Sequence, residues 1–374
     1  MLQFKNPRIC KLILTYACNL NCTYCFEKFK TNDSSRHMSL DTAKKVISEE
    51  IDAIERTSKF DGLAINLFGG EPLLRFEMIK SFCEWLWGLD TSVRYTVSIT
   101  SNGTLLTDDK KDWFRRHKDK ISLRLSIDGN SSTQLLNRGV SLEDIPVEFA
   151  RDTWPDVHFS MTVSREALDR YAEDFINLTR QGYLLESGRA VGVAWTAEEA
   201  RIYEDQLTRI ANFYLENLEY SPNPFFMYSF TAQLTDRRDS FCGAGHHMVA
   251  YDYSGKGYPC HMFLPFVWGR DVFEEIQNID FEHPLAGRKD PVCEKCALVK
   301  CCPTCVAYNL QERGDVGLRD KRGCSILEAE FRVISAFQVQ YYMKKNSLSR
   351  EEQVKLKAAI EIYHLTERRA EETI

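Results

Sequence analysis

Thirteen cysteines carry most of the chemistry legible in this chain of 374 residues, and their spacing says more than their number. Three lie in one short window, as Cys18-x3-Cys22-x2-Cys25. Three thiolates this close can wrap one iron–sulfur cube and leave one iron without a protein ligand. An iron with an open position can bind and activate a small molecule, whereas a four-iron electron carrier has a fourth cysteine that closes the site. Zinc is the structural alternative, but it takes four ligands and no fourth cysteine is near. Eight more cysteines fall between 242 and 324. They run Cys242-x12-Gly255-x4-Cys260, then Cys293-x2-Cys296-x4-Cys301-x3-Cys305, then Cys324 after a gap of 18. Adjacent Cys302 offers x5 and x2 in place of x4 and x3. Repeated C-x2-C pairs also suit zinc, and two zincs would make this field a structural module. Cys10 and Cys83 read as small buried hydrophobes.

The composition decides the setting. Lys and Arg number 48 against 54 Asp and Glu, a net charge of −6. No basic field attracts nucleic acid or anionic lipid, so neither is an expected partner. No apolar run approaches the ~18 residues of a membrane span, and Met1-Leu-Gln-Phe-Lys-Asn-Pro-Arg8 has no cleavable apolar region. The expectation is a cytoplasmic chain, where clustered cysteines bind metal and do not pair as disulfides.

The elements that must hold these cysteines alternate. Strand-like runs occupy Cys10–Thr15, Leu63–Phe68, Tyr95–Thr100, Ile121–Ile127, Val157–Val163 and Val191–Trp195. Between them come helical patterns. One is capped by Ser39 and carries Ala43, Val46, Ile47, Ile51 and Ile54. Others follow Phe76 and Thr107, and two more span about 165–182 and 197–218. Strand–helix alternation argues an α/β fold with a parallel sheet, and right-handed crossovers curl it into a partial (β/α)6 barrel. Glycine and polar residues gather at the strand C-terminal ends, as Gly69-Gly70, Ser101-Asn102-Gly103 and Asp128-Gly129, the rim where such folds build sites. The expected division is a barrel over 1–220, an aromatic-rich connector over 221–240, a small cysteine-rich domain over 241–330 and C-terminal helices over 331–374. A capping box, Ser349 with Glu352, opens the last helix.

The motif C-x3-C-x-aromatic-C after the first strand resembles the radical S-adenosylmethionine (SAM) enzymes. The resemblance implies that Cys18, Cys22 and Cys25 hold a [4Fe-4S] cluster whose open iron binds SAM, and that one electron cleaves SAM to methionine and a 5′-deoxyadenosyl radical. By position, Gly69, Gly70, Glu71 and Pro72 match the segment that meets the SAM amino group. Ser101 and Asn102 match the turn after strand three, and Ser126 and Asp128 the ribose-binding end of strand four. Arg138 stands where related enzymes hold the SAM carboxylate, although the His-Asp that usually precedes that arginine is absent. Tyr24 would flank the adenine, with Val193 or Trp195 contributing backbone.

The later cysteines resemble the SPASM domain, an extension found on radical SAM enzymes that mature peptides and proteins. That resemblance implies two auxiliary [4Fe-4S] clusters, three in all. Cys293, Cys296, Cys301 and Cys324 would bind the closed one; Cys301 is preferred over Cys302 because it keeps the last interval. Cys242, Cys260 and Cys305 would bind the other, with an open iron or with His246 or His247 as a further ligand. The implied activity is hydrogen abstraction from a ribosomally made precursor peptide or protein, leading to a cross-link, thioether or similar change. An external electron donor such as flavodoxin or ferredoxin is implied. No leader-binding domain precedes the first strand, so a separate leader-peptide-binding protein or direct binding is expected. One alternative is an anaerobic sulfatase maturase forming formylglycine, with His261 as the base where that family has Asp. The other is a non-catalytic iron–sulfur or zinc protein.

Overall fold

The computed structural model describes residues 4–235, 241–285 and 290–372; the last five residues of the connector, 286–289 and the final two residues of the C-terminal helices lie outside the described residues. Strands are β1 (Arg8–Ile13), β2 (Leu63–Phe68), β3 (Tyr95–Ser101), β4 (Ile121–Leu125), β5 (His158–Val163), β6 (Leu184–Arg189), β7 (Met248–Tyr251) and β8 (Gly257–Tyr258). Six form one sheet, ordered β4-β3-β2-β1-β7-β8, and β5 pairs with β6 in a second. A bridge from Ser126 to Ser160 and the Ile127 N–H to Ser160 carbonyl bond of 2.9 Å carry the curve from β4 toward β5. The barrel is therefore partial, as expected, and open.

Residues up to Ile127, Arg138–Ser160 and Gly243–Glu282 make one compact unit; Asp128–Asn137, Met161–Cys242 and His283 onward make the other. In the first, β1 to β4 run parallel, with α1 (Leu40–Thr57), α2 (Phe76–Trp87) and α3 (Asp108–Arg116) as crossovers. One face of these strands is apolar throughout. Cys10, Leu12, Leu63, Ile65, Leu67, Val97, Ile99, Leu123 and Leu125 are buried, the stripe that the crossover helices cover. The Ser39 hydroxyl accepts from the Thr42 N–H at 3.0 Å and starts α1. The opposite face carries Lys11, Asn66, Ser98, Ser122 and Arg124, because side chains alternate along a strand and these positions share one parity in the register.

Residues 243–282, expected to open the small cysteine-rich domain, group instead with this unit. The reason is β7, which lies parallel to β1 with Lys11 opposite Ala250. The Tyr251 hydroxyl and the Arg8 guanidinium both bond the Glu50 carboxylate of α1, at 2.8 Å each for the shortest contacts.

The second unit contains α6 (Tyr171–Arg180) and α7 (Ala197–Glu216), named after the intervening helices α4 (Ser131–Arg138) and α5 (Val147–Thr153). The helix expected from about Arg165 begins only at Tyr171, after a turn of 3-10 helix at Leu168–Arg170. The sixth strand is Leu184–Arg189 and not Val191–Trp195: Gly192 takes a left-handed φ of 74° there, which ends any extended run. Phe226 and Phe230 of the connector are fully buried, with ring centroids 5.3 Å from Phe337 and 5.1 Å from Phe331, so they build core.

Candidate active site

The triad sits on the loop after β1, and the loop is pinned from three sides. Gly69 and Gly70 press against it: the Gly70 N–H bonds the Thr15 carbonyl at 3.0 Å and the Glu71 N–H bonds the Ala17 carbonyl at 2.9 Å. A Cβ on Gly70 would lie 2.2 Å from the Ala17 oxygen, and one on Gly69, whose φ is 139°, 2.4 Å from the Thr15 oxygen. Glycine is required here for close approach. From the β3 turn, the Asn102 amide donates to the Asn19 side chain at 2.9 Å and Asn19 donates to Thr104 at 2.8 Å. Behind the loop, Tyr16 stacks on Phe266 at 4.5 Å and the Phe29 N–H bonds the Phe266 carbonyl. Asn19 and Phe266 carried no sequence signal.

The three thiols all act electrostatically on one cation. The Lys30 ammonium feels Cys25, Cys18 and Cys22 together, which raise its pKa against the burial that lowers it. Burial pushes the Cys18 thiol up to about 11 and Cys25 up as well, so thiolates there need compensating positive charge. Among the described residues no three His, Cys, Asp or Glu side chains close around the position of one metal ion. Thiolates on a single zinc stand about 4 Å apart, given a zinc–sulfur bond of about 2.3 Å. A cube gives each thiolate its own iron, and three thiols on one loop supply the donor type that it needs.

Of the residues expected to meet SAM, Glu71 is spent on structure. Its buried carboxylate accepts from the Leu73 N–H at 2.9 Å, the Ser101 hydroxyl at 2.8 Å and the Asn102 N–H at 2.9 Å. Burial raises its pKa and these bonds oppose the rise. It fastens the end of β2 to the end of β3, and Pro72 follows as the first residue of a 3-10 turn. Glu71→Gln is expected to lower stability by about 2 kcal/mol in urea unfolding, since one amide orientation or the other opposes NH2 to a buried N–H. Ser126 is buried, with its N–H on the Ser101 carbonyl at 3.0 Å. The Arg138 guanidinium lies 5.5 Å from the Tyr24 ring centroid, which places that arginine beside the cysteine loop.

In the second unit, the Asp128 carboxylate accepts from the Thr162 N–H at 3.0 Å and the Asn137 amide at 3.2 Å, holding α4 to β5. Val193 lies in the loop after β6, partly exposed.

His261 is enclosed between Phe26 and Phe68, and its Nδ1 lies 3.2 Å from Lys11 Nζ. Burial first, and Lys11 second, hold its pKa well below the ordinary value. His246 faces Glu282 and His247 packs on Phe60.

The second unit's cysteines separate by direction. Cys302 feels Arg319, Cys324 and Cys296; burial raises it to about 11 and Arg319 draws it back. Cys293 feels Arg319 and Cys324 as well. Cys301 turns away: its thiol is 1% exposed and directed at the Phe230 carbonyl, 3.3 Å off. Cys324 opens the helix Cys324–Met343, where the helix dipole favours a thiolate. Cys305 feels Cys242. Cys260, in the first unit, is buried, and its charge reaches Lys11.

Three comparisons with known proteins bear on this site. The chain is 21% identical to the radical SAM cyclopropyl synthase TigE of Paramaledivibacter caminithermalis, over 86% of this chain and 72% of that one. It is 27% identical to the mycofactocin maturase MftC of Mycolicibacterium smegmatis, over 66% of this chain and 62% of MftC. Its fold is similar to anSMEcpe solved with bound AdoMet (SAM) and the Cp18Cys peptide: TM-score 0.68, 17% identity, 88% of this chain and 99% of that one. Residues 12–179, which run from β1 past the triad, the glycine turns and β5 into α6, match the radical SAM superfamily and form a domain of that type.

Proposed function

We propose that the protein is a maturase acting on a ribosomally made peptide or protein, which it changes after hydrogen abstraction, for example by a cross-link or thioether. Cys18, Cys22 and Cys25 hold the SAM-binding cluster, and Gly69 and Gly70 let backbone approach SAM beside Cys18. When bound, cluster and SAM supply the 5′-deoxyadenosyl radical that removes the substrate hydrogen. Tyr24 and Arg138 border the same loop, where the guanidinium suits the SAM carboxylate. The observation that carries the maturase reading is a second cysteine set in the same chain, Cys293, Cys296, Cys302 and Cys324, drawn together with Arg319. These cysteines would hold a closed auxiliary cluster, which would supply an acceptor for the electron left by an oxidative bond. Cys242 and Cys305, which act on one another in the second unit, are assigned to a further cluster. A separate flavodoxin or ferredoxin supplies electrons, and a separate protein can present the leader. The peptide bound in the anSMEcpe structure supports a peptide substrate. For formylglycine formation His261 would serve as base, but its Nδ1 is engaged by Lys11, so that reading is not favoured.

Two experiments test this. Reconstituted enzyme with SAM, reductant and the short peptides encoded beside its gene is expected to change the mass of one of them. Steady 5′-deoxyadenosine with every peptide unchanged would overturn the reading, and a two-hydrogen loss from a Cys-x-Pro-x-Arg peptide would establish the sulfatase alternative. For the ligand assignment, Cys302→Ser is expected to lower bound iron from about twelve to about eight atoms, and Cys301→Ser to leave it unchanged. The reverse result would restore Cys301 as the ligand.

A further inference from the structure

The open face of the sheet contains an unusual charge. Lys11 lies in the middle of β1, opposite Asn66 on β2, which is opposite Ser98 on β3. Arg124 on β4 has the same parity, two residues beyond Ser122, the partner of Ser98. The charge of Arg124 reaches Lys11, as do those of Cys260 and Glu27. The close partners of Lys11 are His261 and the Phe68 ring, 5.0 Å from Nζ, and neither is anionic. Among the described residues no carboxylate stands within salt-bridge distance of this ammonium, Glu27 and Cys260 acting on it only from farther off; a buried ammonium so placed is costly, and it persists where a ligand completes it. Asn66 donates to the Ser98 hydroxyl at 3.0 Å, so the floor between the two cations is polar and ordered.

Depth separates this floor from the SAM site. Asn66 and Ser98 precede the rim residues Gly69 and Ser101 by three positions, about 10 Å along a strand. A group reaching this floor enters beneath the cysteine loop, as a substrate side chain would.

We propose that Lys11 and Arg124, with Asn66 and Ser98 between them, receive a carboxylate of the peptide substrate, either an Asp or Glu side chain or the chain's own terminus. The proposal rests on the maturase reading for its peptide and on the strand register for its cations. The carboxylate takes charge-assisted hydrogen bonds from Lys11 and a planar fork from Arg124, and it anchors the residue to be modified at a fixed depth.

Saturation-transfer NMR on the SAM-loaded holoenzyme tests it, so that the SAM carboxylate already has its site. The probes are acetyl-Gly-Ser-Xaa-Ser-Gly-amide with Xaa Glu or Gln, the Xaa-Gly peptide as free acid or amide, and glutarate against glutaramide. Wild type is expected to bind the acid of at least one peptide pair about tenfold more tightly than the amide; which pair discriminates tells side chain from terminus. Lys11→Met and Arg124→Gln should each erase that preference, and Lys11→Arg should restore it, with circular dichroism and iron content confirming a folded, loaded protein. Equal binding of acid and amide peptides overturns the receptor and leaves the maturase reading intact. Preference for glutarate with no peptide bound keeps the receptor and overturns the peptide reading. No binding of any probe, or a preference untouched in both variants, overturns the proposal.

Discussion

Cys22→Ala is expected to yield a folded protein that forms no 5′-deoxyadenosine above background when reduced with dithionite in the presence of SAM. The two halves of that result have separate causes. Cys22 is only partly buried, so losing its sulfur removes little packing. The loop keeps its other anchors: Asn19 with Asn102 and Thr104, Phe29 on Phe266, and Gly70 on Thr15. The thermal midpoint of the metal-free protein should therefore move by no more than a few degrees. The chemistry has no such reserve. A cube held by two thiolates instead of three is lost or rearranged, and binding and cleavage of SAM depend on it. Cys324→Ala is the contrasting variant. Its thiol stands at the start of a helix in the second unit, and its loss should leave 5′-deoxyadenosine forming while the peptide change fails. Product chromatography, iron content and circular dichroism separate the cases. Wild-type 5′-deoxyadenosine formation by Cys22→Ala would remove the triad from the mechanism.

Much of this arrangement was legible because it depends on local pattern. Strands β1 to β4 announce themselves by apolar runs, and the glycine turns at their ends mark the rim. The failures have a common physical form. Leu184–Arg189 contains Glu186, Ser187 and Gly188, which have weak strand preference, while the β-branched Val191 and Val193 nearby mimic a strand. Only pairing with β5 settles the matter. Met248–Tyr251 is four residues long, and its place beside β1 is decided across more than 200 positions of chain. Cys301 and Cys302 are adjacent, so interval counting cannot say which thiol faces Arg319; both N–H groups bond the Leu298 carbonyl, and the Cys301 thiol is directed at the Phe230 carbonyl while the charge of Arg319 acts on Cys302. Glu71 belongs to the segment expected to meet SAM, and the three backbone and hydroxyl donors on its carboxylate carry no motif of their own. Lys11 stands inside an apolar strand with no motif around it, and only the register puts Asn66 and Ser98 beside it.

Gly70→Ala should be severely damaging for a single added methyl. Unlike Gly69, Gly70 has no left-handed φ, so alanine meets no backbone strain of its own, and the effect is contact alone. Its Cβ would fall 2.2 Å from the Ala17 carbonyl oxygen and 2.6 Å from the carbonyl carbon, with the Cys18 Cβ at 3.1 Å. Backbone atoms cannot rotate out of the way as a side-chain tip would, so the loop must move as a body. Moving it lengthens the Gly70 N–H to Thr15 and Glu71 N–H to Ala17 bonds and shifts Cys18 relative to Cys22 and Cys25. Overpacking of this kind costs about 3 kcal/mol, with the lost hydrogen bonds adding about 1 kcal/mol each. The expected result is a lower unfolding midpoint for the metal-free protein, bound iron reduced by the triad's share, and SAM affinity weakened by tenfold or more. Gly188→Ala is the matched control: it too lacks a left-handed φ, and nothing lies within 4 Å of its added Cβ. If Gly70→Ala behaved like Gly188→Ala in melting, iron content and SAM binding, the cysteine loop would not be clamped by the glycine turn, and the placing of SAM beside Gly69 and Gly70 would lose its physical basis.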